Sequence, residues 1–268
     1  LDLNSIDKDM EKEIFNIKPK KIKKGQGYGK AENNKIIEDY AMEFVKKEMK
    51  KRGYAVKDVS SERGPGCDFI FTKNDEVIYF DPSYPSYKSQ IKIAEIESKI
   101  IRLDLNNDFK ISLNLLEKKI NSKTKAIIIN SPHNPTGYVI STKDLSKIIK
   151  LSNRFKFYII IDAVYDDLNY SNENYEKFLR HKNVIYISSF SKTLGITGWR
   201  IGYLHSTNEN ILNICSFLQS HLNTNTSTYL QKAIYDFFDL GDKFTKKFKE
   251  VLKNRIEYMK KEFSEYNF

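Results

Sequence analysis

The chain has 268 residues, 40% hydrophobic and 13% aromatic, with a net charge of +10. That is enough apolar material for one large domain or two small ones. Its two cysteines, Cys67 and Cys215, are too few for a disulfide scaffold, no apolar run is long enough to cross a bilayer, and the start at Leu1 shows no signal-like segment.

These features fit a reducing compartment, hence a cytoplasmic protein with no membrane contact and two free thiols. The start at leucine rather than methionine suggests a fragment. Lysine is spread along the chain and interleaved with glutamate and aspartate. The one compact run, Lys18, Lys20, Lys21, Lys23 and Lys24 beside Pro19, reads as a solvated linker or as a nucleic-acid contact.

In chain order, Ile37, Tyr40, Ala41, Phe44, Val45 and Met49 recur at three- and four-residue steps, which predicts an amphipathic helix over residues 34–52, stopped by Gly53. "YAVKDV" and "CDFIF" follow as short strands around the turn-rich "SSERGPG". After Asp75 the apolar strands "EVIYF", "KAIIINS", "FYIIIDA" and "NVIYISSF" alternate with helical stretches such as "TKDLSKIIKLSNRF". Continuously apolar strands predict a mostly parallel α/β sheet covered on both faces. From Asn208 the chain reads as helix almost to its end. This gives an α+β segment over residues 1–74 and an α/β domain over 75–268.

Open parallel sheets bind ligands at the carboxyl ends of their strands. Asn134 lies in "SPHNPTG" after one strand; Asp162 ends the next and is followed by Tyr165; Ser189, Lys192 and Arg200 follow the last. A strand-end aspartate needs a cation to offset its desolvation. A lysine among small residues can be partly desolvated, which lowers its pKa and makes the amine nucleophilic toward a carbonyl. Serine and arginine at this spacing can hold a phosphate. An aldehyde, a protonatable ring nitrogen and a phosphate on one ligand would satisfy the set, and pyridoxal phosphate carries all three. Taken singly, each residue has a plainer reading: Asp162 as a helix cap, Lys192 as a surface lysine, "NPTG" as a turn, Tyr84 and Trp199 as core or rim aromatics.

Together, "DEVIYFDPSYPSY", "SPHNPTG", "IDAVYDDLNY" and "SSFSKTLGITGWRIGYL" resemble, in order and spacing, the class I/II aminotransferases of fold type I over about residues 75–238. The resemblance implies the large-domain architecture of pyridoxal-phosphate transferases. It implies that Lys192 forms the internal aldimine and shuttles the proton during transamination between an amino acid and a 2-oxo acid. Asp162 would pair with the pyridinium nitrogen, Asn134 and Tyr165 would bond the ring oxygen, and Ser189 and Arg200 would bind the phosphate. Tyr84 would stack on the ring, Tyr28 in "GYG" matches loosely a tyrosine lent to the neighbouring subunit, and a homodimer is expected.

The sequence departs from that family at both ends. The glycine-bearing turn and helix before "DEVI" that complete the phosphate site are absent. In their place, residues 22–80 resemble the NO VEIN C-terminal domain, of restriction-endonuclease-like fold, through Glu38, "GYAVKDVS" and Asp68. Nucleases of that fold use an acid-x-lysine pair to hold a metal, and here Asp81-Pro82-Ser83 places serine at the lysine position, so no metal is expected. No arginine that would recognise a substrate carboxylate is identifiable, and the small carboxy-terminal domain is missing. Three readings remain open: an aminotransferase, complete or reduced to its large domain; a nucleic-acid-associated module carrying an inactive aminotransferase-like scaffold; and an inactive chimera whose α/β half cannot close its sheet because its first cofactor-binding segment was replaced.

Overall fold

A computed structural model describes residues 31–51, 53–58, 69–73 and 75–264. The chain divides into two compact units, Leu1–Thr72 and Lys73–Phe268. In the first, helix α1 (Ala31–Lys51) ends in Lys50 and Lys51, favourable beside its negative carboxyl end. Gly53 follows at φ 83°, where a residue without Cβ turns the chain cheaply. Strands β1 (Tyr54–Asp58) and β2 (Phe69–Lys73) form a two-stranded sheet. Lys46 ties the helix to β1, its ammonium 2.9 Å from the Asp58 carboxylate and 3.2 Å from Glu43. Lys18, Lys20, Lys21, Lys23, Lys24, Tyr28, Cys67 and Asp68 lie outside the described residues; Glu38 lies in α1.

The second unit is built on a six-stranded sheet of β3 (Glu76–Asp81), β4 (Glu97–Arg102), β5 (Thr124–Asn130), β6 (Tyr158–Asp162), β7 (Val184–Ser189) and β8 (Gly202–His205). Their spatial order is β4-β3-β5-β6-β7-β8, parallel except for the antiparallel pairing of β8 with β7. Helices α2 (Ser86–Ile93), α3 (Leu113–Lys119) and α4 (Thr142–Phe155) lie between the first four strands in the chain, and α5 (Phe190–Thr193) follows β7. The chain steps outward from β3 to β4 and then returns to the other side of β3. Strand order therefore reverses between β3 and β5, the place where open α/β sheets form a ligand crevice.

Alternate residues of each strand supply the two faces. On one, Ile78, Phe80, Ile127, Ile129, Ile159 and Ile161 pack with Leu116 of α3 and with Leu145, Ile148 and Ile149 of α4. On the other, Tyr87 and Ile91 of α2 pack with Val77, Tyr79 and Ala126. The second face is less complete than continuously apolar strands imply: Ile128, Tyr158 and Ile160 are only half-buried, because α2 packs with the β3–β5 part of the sheet.

The carboxy-terminal stretch is three helices rather than one: α6 (Glu209–Leu222), α7 (Thr228–Asp236) and α8 (Phe238–Phe263). The break over residues 223–227, "NTNTS", is made of side chains that compete for backbone hydrogen bonds and disfavour helix interiors. Helix α8 passes close to the turn after α5. A Cβ on Gly241 would lie 3.1 Å from Leu194 Cδ2, and the Thr245 hydroxyl is 3.4 Å from the Thr193 carbonyl.

Candidate active site

Strands β5, β6 and β7 deliver their last side chains to the carboxyl end of the sheet. Asn130 and Asp162 are the last residues of β5 and β6 and are register partners. The Asn130 side chain joins the loops that follow: its amide donates to the Asp162 carbonyl at 2.8 Å, and its oxygen accepts from the Asn134 N–H at 2.6 Å. Sequence reasoning missed Asn130, although a buried polar residue closing the run "AIII" was a signal.

The loop carrying Asn134 is anchored beneath. Buried Tyr175 donates to the Ile140 carbonyl at 2.9 Å and shares a 2.7 Å hydrogen bond with the Ser131 hydroxyl, which accepts from the Ile140 N–H at 3.0 Å. Burial pushes the Tyr175 phenol up, so it stays a donor.

From this base Asn134 donates to the Tyr165 hydroxyl at 3.4 Å. Burial raises the Tyr165 pKa, the nearby Asp162 carboxylate adds to it, and the bond from Asn134 opposes it. The Lys192 ammonium sits 5.9 Å from the centre of the Tyr165 ring, within cation–π reach. Asp162 receives the Tyr87 hydroxyl on Oδ2 and the Val164 N–H on Oδ1 at 3.4 Å. Tyr84 meets the Tyr87 ring edge-on at 5.6 Å. Tyr165 contacts Asn134 and Lys192 directly, while Asp162 and Tyr84 each meet Tyr87, and the Asp162 charge is felt at the Tyr165 phenol, so the five residues share one neighbourhood. Tyr87, which sequence reasoning also missed, lies one helical step from Tyr84.

Ser189, the last residue of β7, and Arg200, just before β8, are occupied locally. The Ser189 hydroxyl donates to the Ile201 carbonyl at 3.0 Å and accepts from the Ser191 N–H at 3.1 Å. Arg200, exposed and at φ 54°, donates to the Thr197 carbonyl at 3.1 Å. Lys192 is exposed rather than partly desolvated as its small neighbours led one to expect, since residues 197–200 are exposed as well. The turn bearing it is held from both sides, by Thr193 donating to Asp167 at 2.9 Å and by α8.

An amine, a strand-end carboxylate and an amide–phenol pair lie near one another at the carboxyl end of the sheet. The family model for aminotransferase class I and II matches residues 42–268, and the chain belongs to that family. That match takes in residues 42–80 of the stretch likened to the NO VEIN domain, and the comparisons do not show the NO VEIN resemblance.

Among relatives, the chain is similar to the aspartate aminotransferase of Thermotoga maritima, 36% identical over 72% of this chain and 52% of that protein. It is similar also to that of Sulfolobus acidocaldarius, 33% identical over 69% and 47%. The crystal structure of the Thermotoga maritima enzyme superposes with a TM-score of 0.65, at 32% identity, over 72% of this chain and 51% of that one. The chain spans about half the length of the curated relatives it matches.

Proposed function

We propose that this chain is the cofactor-binding large domain of a pyridoxal-phosphate-dependent aminotransferase that moves an amino group between an amino acid and a 2-oxo acid. The observation that carries the reading is the cluster around Tyr165, which has Lys192 over its ring, Asn134 on its hydroxyl and the Asp162 carboxylate near enough to raise its pKa. The donor set fits pyridoxal phosphate group by group: a primary amine for the aldehyde, a carboxylate for the ring nitrogen, an amide and a phenol for the ring oxygen, and a hydroxyl with a guanidinium for the phosphate.

When bound, that cofactor supplies a carbonyl that condenses with amines and a ring that stabilises negative charge at the substrate α-carbon. The chain supplies the rest. Asp162 holds the proton on the ring nitrogen, and Asn130 fixes the backbone that carries it. Asn134 and Tyr165 orient the ring through its oxygen, Tyr84 packs beside it, and Ser189 and Arg200 bind the phosphate once their hydrogen bonds to the Ile201 and Thr197 carbonyls are exchanged. Lys192 Nζ anchors the cofactor and carries the proton moved between substrate atoms. The relatives' names make a dicarboxylic amino acid the first donor to assay.

A homodimer is supported by the apolar side chains exposed along α6 to α8, among them Phe217, Leu222, Tyr229, Tyr235, Phe238 and Leu240. The free thiol of Cys215 suits a cytoplasmic setting. The nucleic-acid reading gains nothing from the described residues.

Titration with pyridoxal phosphate tests the proposal. The wild-type chain should bind the cofactor with a visible absorbance band, and Lys192→Ala should lose that band while keeping its circular dichroism spectrum. A wild-type chain that stays colourless at saturating cofactor overturns the reading.

A further inference from the structure

The lysines of α8 have no part in the cofactor site, yet they gather in one place. Lys243, Lys246, Lys249 and Lys253 recur at three- and four-residue steps, so with Lys247 they share one side of the helix. Tyr170, from the loop that follows β6, stands against them, and together they line an open groove of about 690 Å³. Glu250 is the one carboxylate among the described residues that line it.

Tyr170 fixes the wall of the groove to the helix. Its hydroxyl donates to the Lys249 carbonyl at 2.7 Å, and the Lys249 ammonium lies 5.4 Å from the centre of its ring. Lys246 meets the carboxylate of Asp242 at 2.7 Å. Lys243, Lys247 and Lys253 are exposed and make no ion pair among the described residues. Ammonium groups three and four residues apart on a helix repel one another, a cost that an anion seated among them would remove.

We propose that this groove binds a chain of linked phosphates, carried by free polyphosphate or by a nucleoside triphosphate. From Lys243 to Lys253 the helix rises about 15 Å, so a single phosphate cannot reach from one end of the charged strip to the other. The volume is that of a small-molecule site. Lysine binds phosphate as a mobile point charge, and several lysines on one face suit an anion whose charges follow one another along a short chain. Carboxylates on flexible side chains would lose rotamer freedom to reach the same density of charge.

The test is calorimetric titration of the full chain with tripolyphosphate, ATP and inorganic phosphate, without divalent metal. The wild type should bind tripolyphosphate at one site, more tightly than inorganic phosphate, and lose affinity as salt rises. The triple variant Lys243→Gln, Lys247→Gln, Lys253→Gln keeps helix-forming side chains and should weaken binding about tenfold or more. Lys118→Gln, Lys150→Gln, Lys261→Gln removes the same charge away from the groove and should weaken it less than about twofold. Bound tripolyphosphate should slow hydrogen exchange in residues 166–171 and 241–254. Tighter binding of ATP than of tripolyphosphate would assign the site to a nucleotide, and equal or weaker binding to free polyphosphate.

No binding by the wild type, or equal losses in the two triple variants, would overturn the proposal. So would protection centred on residues 189–200, where Ser189 and Arg200 stand, or tighter binding of a DNA duplex than of either small anion. The proposal is independent of the cofactor reading, since none of the substituted lysines belongs to the Lys192 site.

Discussion

Asn130 joins two loops with one side chain, and its loss exposes what the site costs to assemble. Asn130→Ala leaves the Asn134 N–H without its partner and removes one of two donors from the Asp162 carbonyl, which keeps the Ser131 N–H at 3.0 Å. We expect a loss of about 2–3 kcal/mol in urea unfolding, since buried polar groups left unpaired retain their desolvation cost. Cofactor affinity should fall as well, because Asn134 and Asp162 lose their common support. His133 gives a pH signature. Burial lowers its pKa, and its Nδ1 shares a 2.7 Å hydrogen bond with the Thr136 hydroxyl. The unfolded chain then takes up the proton more readily than the folded one, so stability should fall as pH drops from about 6.5 through the lower folded value and then level off. Urea midpoints between pH 8 and 5 measure this, and His133→Gln should flatten the slope. At this scale the sequence revealed residues whose chemistry is unusual for their place, such as Asp162 at a strand end. Asn130 and Tyr87 escaped because their roles are fixed by partners far along the chain, which no local pattern encodes.

Among the elements, α4 was the most legible. Ser141 caps it by accepting from the Asp144 N–H at 3.0 Å, Leu145, Ile148, Ile149 and Ser152 face the core, and Lys156 ends it at φ 63°. Ile148→Ala should cost about 2–5 kcal/mol by leaving a cavity, whereas Lys156→Gly should gain about 0.5–1 kcal/mol by relieving the left-handed backbone. Both are read by urea midpoint. β4 and β8 were less legible: "ESKIIR" mixes charges into an edge strand, and β8 is four residues inside a stretch read for its lysine and arginine. β8 nevertheless positions the proposed phosphate side of the site, because Gly202 opposes Ser189 in register. A Cβ at Gly202 would lie 2.7 Å from the Ser188 carbonyl oxygen. Gly202→Ala should therefore push β8 from β7 and weaken binding of pyridoxal phosphate more than that of unphosphorylated pyridoxal, a difference that paired titrations would measure.

For the whole molecule, regular strand–helix alternation after Asp75 disclosed the parallel sheet, because continuous apolar strands have few other ways to be buried. It did not disclose the half-buried second face or the exposed apolar side chains of α6 to α8, since amphipathic periodicity says that a helix has an apolar side and not what covers it. A dimer assembled through those helices should dissociate on dilution in sedimentation experiments and shift toward monomer in Leu222→Asp. The account as a whole stands on the amine of Lys192. The direct measurement is to saturate the full chain with pyridoxal phosphate, reduce it with borohydride and map the cofactor-bearing peptide by mass spectrometry. A single modification at Lys192, abolished by Asp162→Ala under limiting cofactor, is the predicted result; labelling scattered over surface lysines with position 192 unmodified would contradict it.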